Sequence, residues 1–241
     1  MTYPGLTLLA NGPAPALMIG MFALMITLII GGIIWSVRAK KKRQMALSAW
    51  AHARDFTFMA DETRALEHQF HDFKILRTGS NRYAYNVMMG DRDGRGVWAF
   101  DYHYETYSTD SKGNRQTHHH HFSALIVDSG LYLKPLTIRA ETFFDKMKGV
   151  FGFDDIDFES AEFSRKFYVT AKEKRWAYDV IHQETMEFLM ESPRFAIELE
   201  GPYALAVRTK RFKPFEFDQA LDLLDGLLER IPADLQAELR G

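Results

Sequence analysis

The sequence predicts an α+β fold: one N-terminal transmembrane helix, then an antiparallel β-meander domain closed by amphipathic helices. Three observations lead to this fold class. Residues 16–37 form an apolar run that contains no charged side chain. Segments rich in aromatic and β-branched residues follow, separated by turn signals. Helical periodicity of the apolar residues then returns in the second half of the chain.

The apolar run is long enough to cross a lipid bilayer. A helix rises about 1.5 Å per residue, so roughly 20 residues span the hydrocarbon core. The cations come after the run, whereas a cleaved signal peptide has them before it. By the positive-inside rule, we expect residues 1–15 outside the cytoplasm and everything after the run inside. The predicted location is therefore the inner (cytoplasmic) membrane, crossed once. The cations of the flank are Arg38, Lys40, Lys41, Lys42 and Arg43.

Composition limits the classes of partner. The chain has 241 residues and a net charge of −2, and the basic flank makes the part after residue 43 clearly acidic. Nucleic acid is therefore not an expected partner, because it requires a basic surface. The flank itself favours anionic lipid headgroups. The chain has no cysteine, which excludes disulfides, thiol nucleophiles and zinc sites built on thiolate.

The part after the anchor is predicted as a basic juxtamembrane helix, residues 38–54, and one cytoplasmic domain, residues 55–241. The expected sheet includes residues 83–89, 97–107 and 122–127, an extended piece at 131–141 with Pro135 at an edge or bend, and a strand at 166–170. We expect helices at 171–190 and 217–230, and a hairpin of 194–200 and 203–209 around Gly201-Pro202. The aromatic residues expected in the core are Trp98, Phe100, Tyr102, Phe163 and Phe167.

Several segments between Trp50 and Arg230 resemble a family of uncharacterised bacterial single-pass membrane proteins. The resemblance implies one anchor before one cytoplasmic α+β domain, with a pleckstrin-homology-like β-fold, and it brings no established activity. This chain has Arg139-Ala140-Glu141 where such proteins commonly have Arg-Pro-Glu. The matching segments are Asn86-Val-Met-Met-Gly90, Phe100-Asp-Tyr-His-Tyr104, Leu136-Thr-Ile-Arg-Ala-Glu141, Phe151-Gly-Phe-Asp-Asp-Ile-Asp-Phe158 and Phe163-Ser-Arg-Lys-Phe-Tyr-Val169.

A run of four histidines, residues 118–121, is the clearest candidate for a metal site. Alternate residues of a strand share a face, so Asp101, His103 and Glu105 lie together on one face of the preceding strand. One register places His118 and His120 on their face, and a three-residue loop would place His119 and His121 there instead. We take His103, Glu105, His118 and His120 as candidate ligands for a divalent transition metal. The sequence alone favours the other interpretation, a solvated strand end that needs no cofactor.

Other chemical signals are weaker. Asp154, Asp155, Asp157 and Glu159 form an acidic stretch that lacks the glycine and final glutamate of an EF-hand loop. We expect a solvated turn there, paired with Arg165 or Lys166, and a structural ion pair between Arg139 and Glu141. No nucleophile elbow, P-loop or dinucleotide-binding glycine motif occurs in the sequence.

Three functional hypotheses remain open. The first is a non-catalytic interaction or ligand-binding domain held beneath the membrane by residues 16–37. The second is a metal-binding sensor or metal-dependent enzyme that uses the histidine run. The third is an accessory structural subunit that docks onto a membrane protein complex. The missing catalytic motifs favour the first.

Overall fold

The N-terminal helix, α1, runs without a break from Pro15 to His52. The computed structural model describes residues 15–140 and 156–240, and the chain divides into two compact units between Met45 and Ala46. In the first unit, the apolar side chains from Met18 to Val37 are exposed. No glycine or proline lies between Val37 and His52, so the helix continues through the basic flank. By length and composition, α1 is the helix of the described residues that could cross a membrane.

The second unit contains a six-stranded antiparallel sheet, and the α+β fold class is as predicted. The strands are β1 (Thr57–Met59), β2 (Ser80–Arg92), β3 (Arg95–Thr109), β4 (Arg115–Ala140), β5 (Phe167–Ala171) and β6 (Ala196–Arg208). The strands pair in the order β1-β2-β3-β4-β5, and β6 pairs with β4 as well. The long strand β4 therefore has β3 and then β5 along one edge, and β6 along the other.

Short helices cover this sheet. They are α2 (Ala65–Gln69), a 3₁₀ helix (Lys74–Arg77), α3 (Ala161–Lys166), α4 (Lys174–Val180), α5 (Gln183–Glu191), α6 (Pro214–Glu229) and α7 (Ala233–Leu239). One side of the sheet packs against α2 and the 3₁₀ helix through Phe70, Phe100 and Tyr102, among others. The other side packs through Val97 and Leu125 against the end of α1 and against α6.

The structure corrects the predicted helix at residues 171–190. It is two helices, α4 and α5, separated at Ile181 and His182. The backbone of His182 is extended (φ −79°, ψ 179°), and the Nε2 atom of this histidine lies 2.9 Å from the carbonyl oxygen of Arg230. Ile181 is buried. An extended backbone at His182 is incompatible with an α-helix. The first helix therefore ends before this residue, and a second helix begins after it.

The predicted hairpin at Gly201-Pro202 is also wrong, because β6 is one continuous strand. Gly201 adopts a left-handed conformation (φ 54°) and faces Leu133 of β4, where the pairing register shifts. The dipeptide therefore marks an irregularity within the strand. Pro135 lies at the neighbouring shift, between Leu133 and Leu136, inside β4 and not on an edge strand. β4 is long enough to pair with β6 on both sides of these shifts.

Of the predicted core aromatics, Phe100, Tyr102, Phe163 and Phe167 are buried. Trp98 is only partly buried, and its ring contacts the rings of Phe70 and Tyr203. The predicted strands and the helix at 217–230 correspond to β2, β3, β4, β5 and α6.

Candidate metal centre

The register of β3 against β4 decides which histidines meet. The N–H of Asp110 donates to the carbonyl oxygen of Asn114 (3.0 Å), which closes a three-residue loop, and Gly113 in that loop has a φ of 83°. A left-handed glycine is typical of such loops. Glu105 therefore pairs with His119, and His103 pairs with His121.

This register corrects two of the four predicted ligands. His118 and His120 pair with Thr106 and Tyr104 and lie on the opposite side of the ladder. We call the side that carries His103, Glu105, His119 and His121 the histidine face. The side that carries Tyr102, Tyr104, Thr106, His118 and His120 is the tyrosine face.

Three potential metal ligands converge on the histidine face. The Nε2 atom of His103 lies 3.1 Å from Nδ1 of His119. That Nδ1 atom lies 3.5 Å from Oε1 of Glu105. One nitrogen or oxygen atom from each of the three residues lies within 4.8 Å of the other two. His103 is almost fully buried, whereas the side chain of His119 is 58% exposed, so the cluster is open to solvent on one side.

A bulge in β2 orients two of these ligands. The pairing of β2 with β3 shifts between Ser80 and Tyr83, and Asn81 within the bulge has a φ of 46°, a conformation that asparagine tolerates better than most residues. The backbone carbonyl oxygen of Asn81 lies 3.1 Å from Nδ1 of His103. The side-chain amide of Asn81 donates to Oε1 of Glu105 (2.7 Å). One residue thus holds an imidazole and a carboxylate together.

Glu105 is held as an anion. Its second oxygen, Oε2, accepts a hydrogen bond from the hydroxyl of Tyr107 (3.0 Å). The hydrogen bond from Asn81 holds the pKa of the Glu105 carboxyl below its usual value, although partial desolvation opposes this, and Tyr107 and the nearby imidazoles add to the lowering. Hydrogen bonds to the charged form favour that form.

His121 lies at the side of the cluster. Its Nδ1 atom is 3.1 Å from the hydroxyl of Tyr85, and its ring centroid is 4.8 Å from that of His103. Burial, and then His103, lower the pKa of the His121 imidazole. Tyr83 stacks on His103 with ring centroids 4.5 Å apart. The aromatic side chains of β2 thus form one wall of the site.

The histidines of the tyrosine face have other partners. His120 stacks on Tyr104 (4.5 Å between centroids), and its Nε2 atom lies 2.7 Å from the hydroxyl of Thr106. Burial lowers the pKa of the His120 imidazole. The exposed His118 places Nε2 2.7 Å from the hydroxyl of Ser108. Each of these two imidazoles therefore contacts a side-chain hydroxyl of β3 and does not lie among the candidate metal ligands.

The other charged residues singled out in the sequence do not form a metal centre within the described residues. Asp157 and Glu159 are exposed, while Lys166 pairs with Glu162 (2.5 Å). Asp154, Asp155 and Glu141 lie outside the described residues, so the ion pair of Arg139 with Glu141 stays a prediction. Arg139 itself is buried, with its guanidinium 4.7 Å from the ring centroid of Tyr168.

Sequence reasoning did not identify two carboxylates, Asp101 and Glu198, as buried. Asp101 is fully buried and accepts hydrogen bonds from the Ser123 hydroxyl (2.6 Å) and the Asn86 amide (2.8 Å). Glu198 is buried in β6, and burial raises its pKa to about 7. The alternation of β3 places Asp101 on one face with His103 and Glu105, as predicted, but alternation alone does not indicate that Asp101 is buried. No pattern in the sequence indicated that Glu198 is buried, because residues 194–200 were predicted as one strand of a hairpin.

Comparison with known proteins extends these observations at the level of fold. No protein-family model and no curated protein sequence matches the chain. A solved structure, that of the mycobacterial trehalose monomycolate transport factor A, TtfA, is similar with a TM-score of 0.56. The two chains are 13% identical, and the match covers 78% of this chain and 96% of TtfA. At this identity the likeness shows a shared fold. The protein is thus an α+β protein of this fold with one N-terminal helix that could span a membrane.

Proposed function

We propose that this protein is a membrane-anchored, non-catalytic accessory protein whose domain, residues 55–241, binds a partner protein of a membrane transport system. The observation that carries the proposal is α1. Its apolar side chains from Met18 to Val37 are exposed, and no core of the described residues covers them. Soluble proteins rarely expose apolar surfaces of this length, so a lipid bilayer is the environment that suits this segment.

The likeness to TtfA supports the accessory role. TtfA is by name a transport factor, and its fold covers most of this chain. The absence of common enzyme motifs from the sequence favours a binding role over a catalytic one. The resemblance to bacterial single-pass proteins agrees with this proposal and supplies no activity of its own.

The proposed topology places residues 1–15 outside and the domain in the cytoplasm of a bacterial cell. It is supported by the cations Arg38, Lys40, Lys41, Lys42 and Arg43, which follow the apolar segment. The same cations would contact anionic headgroups of the cytoplasmic leaflet, each contributing about 1 kcal/mol near the surface.

The topology can be tested with single cysteines, since the chain has none. Thr7→Cys lies before the apolar segment, and Glu238→Cys lies at an exposed position of α7. A membrane-impermeant maleimide added to intact spheroplasts should label Thr7→Cys alone and should label Glu238→Cys after permeabilisation. The reverse pattern would show that the orientation is wrong. Recovery of the protein in the soluble fraction would refute the anchor.

The accessory role requires a second test, with the full chain extracted from its native membranes in mild detergent. Cross-linking before extraction should join the domain to a membrane protein, at a site that can be mapped by mass spectrometry. A matched chain, in which an unrelated transmembrane helix replaces residues 16–37, should give the same cross-link because the domain supplies the contact. Loss of the cross-link in the matched chain would assign recognition to the helix. A protein that is monomeric in both forms would contradict the proposal.

A further inference from the structure

The convergence of ligands on the histidine face carries an inference that does not depend on the partner or the orientation of the protein. We propose that His103, Glu105 and His119 bind a divalent transition-metal ion of the zinc type, with at least one coordination position open.

The spacing of the ligand atoms suits such an ion. Zinc binds imidazole nitrogen at about 2.0–2.1 Å in a tetrahedron, which separates neighbouring ligand atoms by about 3.3 Å. The separation of Nε2 of His103 from Nδ1 of His119 is 3.1 Å, and that of this Nδ1 from Oε1 of Glu105 is 3.5 Å. An ion can therefore be bound with side-chain adjustments of a few tenths of an ångström at these two edges.

The hydrogen bonds around the ligands fix their states. The backbone carbonyl oxygen of Asn81 can only accept a hydrogen bond, so Nδ1 of His103 carries the hydrogen. The lone pair of Nε2 therefore faces the cluster. An imidazole whose other nitrogen donates to a carbonyl is the usual arrangement of a metal-bound histidine. Glu105 is likewise oriented by two donors, Asn81 and Tyr107. Two of the three ligands are thus preorganised by outer partners.

The ligand types select the class of ion. Two imidazoles and one carboxylate suit zinc and neighbouring transition metals, whereas calcium and magnesium prefer oxygen ligands. Structural zinc sites usually have four protein ligands, while three leave a position for water or for another molecule. The high exposure of His119 places this open position towards solvent, so the ion can exchange.

Metal binding should be measured on the full chain, purified in detergent through a histidine-free tag and stripped of metal. The probe is Zn²⁺, titrated in competition with a chromophoric chelator. Because His103 is buried and its replacement could unfold the domain, the test variants are His119→Gln and Glu105→Gln. The matched control is His118→Gln, which removes an exposed imidazole from the adjacent position on the tyrosine face.

Wild type should bind one equivalent of Zn²⁺, and the ion should raise the temperature of unfolding because it binds the folded state. His119→Gln and Glu105→Gln should each weaken binding by more than about tenfold, whereas His118→Gln should stay within about twofold of wild type. The inference is overturned if wild type binds no stoichiometric ion. It is equally overturned if Glu105→Gln binds normally, or if His118→Gln weakens binding as much as His119→Gln, because the run itself would then be the chelator.

Discussion

The histidine face and the tyrosine face of the β3–β4 ladder are made by alternating residues of the same two strands, yet they stabilise charge differently. On the tyrosine side, the hydroxyl of the buried Tyr102 donates to the carbonyl oxygen of Leu76 in the 3₁₀ helix (2.6 Å). On the same side of the sheet, Glu198 of the neighbouring strand β6 lies beside this helix, and burial raises its pKa to about 7. On the histidine face, hydrogen bonds hold the pKa of Glu105 below its usual value.

The difference shows how one sheet separates structural from chemical roles. A carboxyl that is removed from water favours its neutral form, while one that accepts several hydrogen bonds stays charged. A cation binds a carboxylate that stays charged. At the bulge in β2, the side-chain amide of Asn81 supplies one of the hydrogen bonds to Glu105, and Tyr107 supplies the other.

The largest effect should come from removing the aromatic packing beneath the tyrosine face. Phe100 is fully buried, and Phe100→Ala should lower the free energy of unfolding by about 3–5 kcal/mol. Thermal and denaturant unfolding of the full chain in detergent would measure the loss. Tyr132→Ala is the control, since this ring is 73% exposed, and its effect should stay within about 0.5 kcal/mol. Equal stability of Phe100→Ala and wild type would remove Phe100 from the core.

The second prediction concerns pH and Glu198, whose neighbouring charges are Lys74, Arg139 and Glu200. Between its unfolded pKa near 4.5 and its folded pKa near 7, the folded state retains a proton that the unfolded state has lost. Wild type should therefore lose stability as pH rises through this window, by on the order of 3 kcal/mol. Glu198→Gln should not show this loss.

The measurement is the difference in unfolding temperature between Glu198→Gln and wild type. It should increase in favour of the variant from pH 5 to pH 8. A difference that stays constant over this range would show that Glu198 is ionised in the folded protein, and the contrast with Glu105 would then be wrong.

The contrast between the faces also shows what the sequence can predict. The grouping of His103 with Glu105 follows from period-two alternation, and the pairing of β3 with β4 follows from the turn signal between them. The choice between the two histidine pairs does not, because a change of one residue in the loop moves every β4 side chain to the other face. The Asp110–Asn114 hydrogen bond that settles it depends on the left-handed conformation of Gly113.

The wrong predictions elsewhere have the same origin, because strand pairing in the fold outweighed the local sequence signals. Gly201-Pro202 has the chemistry of a turn, but β4 pairs with β6 on both sides of it. The bulge at Asn81 was not predicted either, because the predicted strand began only at residue 83, whereas β2 begins at Ser80. The residue that orients two candidate ligands therefore could not be found by spacing alone.

The third prediction tests Asn81 as a positioning residue for the proposed ion. Asn81→Gly retains the left-handed conformation and the carbonyl group but removes the amide that donates to Glu105. Zn²⁺ affinity should fall by about 10- to 100-fold, as is typical when an outer partner of a ligand is lost. Asn86→Gly is a matched control, because Asn86 lies at the second bulge, has a φ of 50° and bonds Asp101. It should reduce stability while leaving the affinity unchanged, and the opposite pattern would contradict the role of Asn81.

The smallest effect should come from His118 on the tyrosine face. His118 is exposed, and its ring nitrogen bonds the exposed hydroxyl of Ser108, so the contact competes with water and contributes little. Threonine suits a strand, and His118→Thr should change the free energy of unfolding by less than about 0.5 kcal/mol. Chelator should lower the unfolding temperature of this variant as much as that of wild type, since its histidine face is intact. If His118→Thr abolishes the chelator effect, the two faces do not differ in the way that their geometry indicates.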